Sequence, residues 1–237
     1  MEMNGAGGNQ GIAMEYEEII TRLKAQANPA NVAGMARFGI TTDNTLGLSI
    51  YDLRKIAKEI KKDHELALKL WDSGIHEARI LASFVDEPDK VTEAQLERWV
   101  KDFDSWDVVD QVSDLIWRTP HVVKKIHEWS RRDEEFVKRT AFSLIAELAW
   151  HDKKMADGDF EQFFAVIKTA ATDERNFVKK AVNWALRNIG KRNKALNQRA
   201  IQVAREIQQL DSKPARWIAA DALRELNGEA VQARVRI

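Results

Sequence analysis

The chain has 237 residues, enough for one large domain or two small ones, and no cysteine, which excludes disulfides, thiolate metal ligands and a cysteine nucleophile. Hydrophobic residues make up 44% and charged residues 31%, with only 11 Gly and 4 Pro; this excludes a collagen-like or disordered chain and fits a folded, helix-rich one. Positive and negative charges balance overall, yet residues 1–119 hold 14 Lys/Arg against 21 Asp/Glu and residues 120–237 hold 23 against 16. The second half is therefore a candidate anion-binding surface, although uneven charge on solvated helices gives the same asymmetry.

The first 14 residues are rich in Gly and Asn and aperiodic, which predicts a disordered tail preceding a single domain over 15–237. No basic segment followed by an apolar run marks a secretory signal, and no apolar run approaches the ~20 residues of a membrane span, so a cytoplasmic protein without membrane contact is expected. From Glu15 onward the chain reads as amphipathic helices of roughly 10–17 residues. Turn signals separate them at Asn28-Pro29, Asp72-Ser73-Gly74, Glu87-Pro88-Asp89, Thr119-Pro120, Asp157-Gly158 and Lys213-Pro214. The segment Gly34-Met35-Ala36-Arg37-Phe38-Gly39-Ile40 reads as a compact break between helices.

The segment Ser105–Trp117 carries two faces. At about 100° per residue, Val108, Val109, Val112, Leu115 and Ile116 form one core stripe. Trp106, Asp110, Ser113 and Trp117 fall together on another face. A large aromatic one turn from a carboxylate, away from the core stripe, suits a functional face, because burying that carboxylate unpartnered is costly. Packing of Trp106 on a neighbouring helical pair, with Asp110 in a salt bridge, is the structural alternative.

Further along, Phe136-Val137-Lys138 recurs as Phe177-Val178-Lys179, 41 positions on, and Ala185-Leu186-Arg187 returns as Ala222-Leu223-Arg224, 37 positions on. A period of about 40 residues with two helices per unit is the signature of HEAT or armadillo-like stacks. The expected fold is an all-α superhelix with a concave surface, since one helical pair cannot bury its apolar face alone. Helix Arg175–Lys191 repeats the two-faced design: Val178, Ala181, Val182, Ala185, Leu186 and Ile189 make the core stripe, while Trp184 shares its face with Lys180, Arg187 and Lys191. An aromatic among cations suits a flat anionic ligand such as nucleic acid, although an indole shielding Lys and Arg stems looks the same. The five His residues are scattered without metal-ligand spacing, and no Gly-rich phosphate loop or GxSxG motif is present, so no metal is expected.

Over about Met14 to Leu226 the sequence resembles the AlkD-type DNA alkylation-repair glycosylases, HEAT-like proteins that release N3- and N7-alkylated purines. The most specific element is Ser-Trp-Asp-x-Val-Asp at Ser105–Asp110. The resemblance implies catalytic roles for Trp106 and Asp110, a DNA-contacting role for Arg139, and a second active-site aromatic at Trp184. Phe38 stands where the family has Tyr, which removes a hydroxyl at the DNA-facing Met-Ala-Arg-aromatic element. By the same resemblance the partner is duplex DNA containing alkylated purines, with no cofactor, and a monomer is expected. Two other functions compete: a non-catalytic DNA-structure binder on this scaffold, and a protein-interaction scaffold. Convergence of Arg139, Lys180, Arg187 and Lys191 with the two indoles on one surface favours nucleic acid; dispersal favours the scaffold.

Overall fold

The computed structural model describes residues 15–235, and the segment 1–14 expected as a tail lies outside them. The described residues form fourteen α-helices and three short 3-10 turns, with no strand. In chain order the helices are α1 (Tyr16–Ala25), α2 (Pro29–Ala36), α3 (Ile50–Ile60), α4 (His64–Asp72), α5 (His76–Val85), α6 (Glu93–Trp99) and α7 (Trp106–Ile116). The second half adds α8 (Val122–Trp129), α9 (Glu135–His151), α10 (Glu161–Ala170), α11 (Asn176–Gly190), α12 (Lys194–Gln208), α13 (Lys213–Leu226) and α14 (Glu229–Val235). No helix among them is long and apolar enough to cross a membrane.

The helix starts follow from capping chemistry. Asn28, Ser49, Asp63, Thr92, Asn193 and Ser212 each accept a backbone N–H of the first turn, and Pro29 and Pro214 occupy first-turn positions where no N–H is missed. Capping by Asn28 explains one difference from the sequence reading: Gly34–Ala36 belongs to α2, and the break begins only at Arg37. Helices α2, α4, α6, α8 and α14, of 8, 9, 7, 8 and 7 residues, are also shorter than expected.

The packing is that of a two-layer stack. Helices α3, α5, α7, α9, α11 and α13 lie against one another in sequence as one row, while α4, α8, α10 and α12 pack behind α5, α9, α11 and α13. The core stripes expected on α7 and α11 are buried throughout. Helix α9 is covered on several sides, by α7, α8 and α11, and buries an unbroken run from Arg139 to Ala146. Repeat spacing reappears as long-range polar contacts: Asn188 donates to the Ala146 carbonyl, Asn183 to Asp221, and Arg187 to Glu225, across 42, 38 and 38 positions. At Gly190 a Cβ would lie 2.7 Å from Leu226 Cδ2 and 2.9 Å from Ala200 Cβ, so only glycine permits α11, α12 and α13 to close together.

One buried carboxylate fixes the loop that follows α2. Glu77 on α5, 1% exposed, accepts the backbone N–H groups of Leu46, Gly47 and Leu48 at 2.8, 2.6 and 3.3 Å. Gly47 has φ +85°, and a Cβ there would meet the Asn28 carbonyl oxygen at 2.3 Å, so the loop is held tight against α2. Replacing Glu77 by Ala strands three donors and is expected to lower the unfolding free energy by about 3 kcal/mol in urea titration. A loss below about 1 kcal/mol would show that water replaces the carboxylate.

Candidate functional site

The site forms where α7, α9 and α11 run side by side. Asp110, one turn into α7, turns towards α9, where Arg139 Nη2 donates to both its oxygens at 2.7 and 3.0 Å and the Ser143 hydroxyl lies 3.3 Å away. Arg139 Nη1 donates to the Phe177 carbonyl at the start of α11, 2.9 Å away, so one guanidinium ties three helices together. Burial pushes the Asp110 carboxyl above its ordinary value, while the charge and hydrogen bond of Arg139 and the Ser143 hydroxyl pull the other way.

Around this pair lies an open hollow of about 330 Å³, lined by Phe38, Trp106, Asp110, Arg139, Phe177, Lys180, Ala181 and Trp184. Trp106 is held by an Nε1–H bond to the Phe38 carbonyl, 2.9 Å, which links the front of α7 to the loop after α2. Gly39, with φ +74°, lets that loop approach α11: a Cβ there would lie 2.8 Å from Phe177 Cζ. Phe38 itself is 72% exposed at the lip.

The residues singled out from the sequence divide into two groups. Phe38, Trp106, Asp110, Arg139, Lys180 and Trp184 converge on the one hollow. Arg187 and Lys191 do not line it; both pair with Glu225 of α13, Lys191 at 2.9 Å, and Arg187 also reaches Asp221 at 3.6 Å. The four cations therefore do not form one free basic face. Arg139 has its side chain 7% exposed and its guanidinium committed to Asp110 and Phe177, whereas exposed Lys180 forms no ion pair among the described residues. Ser113, expected beside Asp110, is fully buried because α5 and α9 cover α7 on both sides.

Several contributors were not singled out from the sequence. Ser143 and Glu147 lie four and eight positions after Arg139, a helical spacing that signals a shared face, but α9 is so apolar all round that no face stands out. Glu147, on that face, is pushed up to about 7 by burial and by the charges of Asp114 and Asp110, against the pull of Arg118. Asp114, Glu147 and His151 bring three possible ligand atoms within 4.8 Å of one another. Asp114 is already bonded by Arg118 and by Trp117 Nε1, so a metal ion there would compete with a resident cation. On the other flank, His76 Nε2 lies 2.8 Å from Asp107 Oδ2, and Ser105 donates to the other oxygen. Burial opposes a charged Asp107, yet the His76 imidazole and the Ser105 hydroxyl outweigh it and hold the carboxyl below its ordinary value.

Glu147 makes a pH dependence testable. Between its ordinary value of 4.5 and about 7 the native state keeps a proton that the unfolded chain has released, so stability falls as pH rises through this window. Glu147→Gln is expected to unfold like the wild type near pH 5 and to be the more stable protein near pH 8. Parallel pH–stability curves for the two proteins would contradict the assignment.

Fold and site together define a HEAT-like helical-repeat protein that presents an aromatic, carboxylate-bearing hollow. The family of DNA alkylation repair enzymes matches residues 19–226, and the chain belongs to this family. An uncharacterized protein of Listeria monocytogenes is 23% identical over 197 residues, covering 81% of this chain and 86% of its own length, and a protein of Listeria innocua matches equally. A solved structure superposes with a TM-score of 0.76 at 17% identity, over 94% of this chain and 96% of that one. It is described as a new family related to the HEAT-like repeat DNA glycosylases with affinity for branched DNA structures.

Proposed function

We propose that the protein is a monomeric, cytoplasmic DNA glycosylase that hydrolyses the N-glycosidic bond of cationic N3- or N7-alkylated purines in duplex DNA. The observation that carries this reading is the Asp110 carboxylate, held by Arg139 in an open hollow that the indoles of Trp106 and Trp184 also line. An alkylated purine already bears positive charge, so its departure needs no general acid. As the bond to C1′ breaks, its electron pair neutralises the purine and positive charge develops on the deoxyribose. Asp110 lies ready to stabilise that charge and to orient water, whose oxygen bonds to C1′ and whose proton leaves by way of the carboxylate to solvent. Neither step calls for a metal or an organic cofactor.

The aromatic rings supply π faces to the cationic base, each contributing about 0.5–2 kcal/mol according to desolvation. Arg139 acts through Asp110 as a positioning residue: removing it would leave a largely buried carboxylate without its cation. Lys180 is the cation in the hollow best able to meet a phosphate, whereas the charges of Arg187 and Lys191 are already met by Glu225. Backbone contacts of this kind carry no base sequence, so a preference for lesion rather than sequence is expected.

A second reading, binding of DNA structures without base release, is favoured by Phe38, which offers no hydroxyl where the resembled family has one. The structural neighbour with affinity for branched DNA fits the same reading. Base release from alkylated duplex DNA separates the two. The wild type is expected to release methylated purine, and Asp110→Asn to lose release by about two orders of magnitude or more while keeping its affinity for DNA. Equal release by both proteins would remove Asp110 from the chemistry, and release by neither, with binding intact, would leave the second reading standing.

A further inference from the structure

A second and larger hollow, of about 580 Å³, shares Trp106 and Phe38 with the Asp110 site. Gly34 and Met35 of α2 and His76 and Ile80 of α5 form further parts of its wall. Helix α2 has no buried residue. Close-packed protein interiors leave no voids of this size, whereas mostly apolar hollows of ~300–1,000 Å³ with a few polar groups are the usual form of ligand sites.

Two features of the wall specify the ligand. The first is aromatic: the Trp106 ring is anchored through its Nε1–H to the Phe38 carbonyl, and the exposed Phe38 ring stands at the lip. Anchored aromatic surfaces of this kind take flat π systems. The second is polar: His76 is 3% exposed, bonds Asp107 through Nε2, and leaves Nδ1 buried with no hydrogen-bond partner. An orphaned nitrogen in such a place is costly, and a hydrogen-bonding edge beside it would remove the cost. Arg37, exposed between Met35 and Phe38, forms no ion pair among the described residues, and Lys180 stands in the adjoining hollow. The two cations suit a phosphate chain passing the lip.

We infer that this hollow receives an unpaired nucleobase, stacked on Trp106 and met at its edge by His76. The inference rests on the DNA-binding part of the proposed function and is independent of base release. The site thereby selects DNA in which a base has already left the stack, at a bulge or a strand junction, where unstacking costs least.

Gly34 provides the test, because a Cβ at this position has nothing within 4 Å and the residue is helical. Gly34→Leu therefore adds a bulky side chain at the wall of the hollow without backbone strain and favours the helix. The probes are two duplexes identical except for one extrahelical 2-aminopurine, with affinity read by anisotropy and stacking by 2-aminopurine fluorescence. The wild type is expected to prefer the bulged duplex by about tenfold and to quench the probe. Gly34→Leu is expected to lose both effects while keeping its affinity for the paired duplex. No preference in the wild type, or an undiminished preference in Gly34→Leu, would overturn the inference. Bulge preference without base release from alkylated duplex would sink the catalytic reading alone; base release without bulge preference would sink this one alone.

Discussion

The catalytic reading of this molecule depends on one buried ion pair, Arg139 with Asp110. A carboxylate taken out of water loses several kcal/mol of hydration unless a cation and hydrogen-bond donors replace the solvent. Here the replacements come from α9, as the Arg139 guanidinium and the Ser143 hydroxyl, and the guanidinium is itself fixed by the Phe177 carbonyl of α11. The pair thus does two things at once. It fastens three helices of the row at the point where an open hollow forms, and it holds a carboxyl group in the wall of that hollow. The indoles of Trp106 and Trp184 line the same hollow.

The repeat architecture makes such a pair tolerable. Helix α9 is enclosed by three neighbours, so its position is over-determined by apolar contacts before any charge is considered. Polar contacts then recur between successive helices of the row: Asn183 and Arg187 on α11 reach α13, and Arg139 on α9 reaches α11. Between α7 and α11 this ladder includes a carboxylate, Asp110, that faces an open hollow.

Much of this was legible in the sequence. Apolar residues spaced for a helix identified the buried stripes of α7 and α11, and the ~40-residue recurrences identified the stack. Trp106 and Asp110 stood out because they lie off their helix's core stripe. The direction of the Arg139 side chain was not legible, since it depends on Asp110 and Phe177, 29 and 38 positions away. For the same reason Arg187 and Lys191 read as free cations, although Glu225 of α13 meets both. The His76–Asp107 pair and the raised Glu147 depend wholly on which helices become neighbours, and no local pattern announces either. Charge counts along a chain say where cations are; only packing says which of them remain free.

In the proposed mechanism Arg139 keeps Asp110 ionised where the glycosidic bond breaks. Single-turnover release of methylated purine across acid pH, corrected for spontaneous depurination, tests it in the wild type and in Arg139→Ala. The wild-type rate is expected to fall with acid along a limb above the ordinary carboxylate value, and this limb to move to higher pH in Arg139→Ala, because the guanidinium pulls the carboxyl down. A limb unmoved by loss of the guanidinium, or a rate indifferent to pH in both proteins, would contradict it.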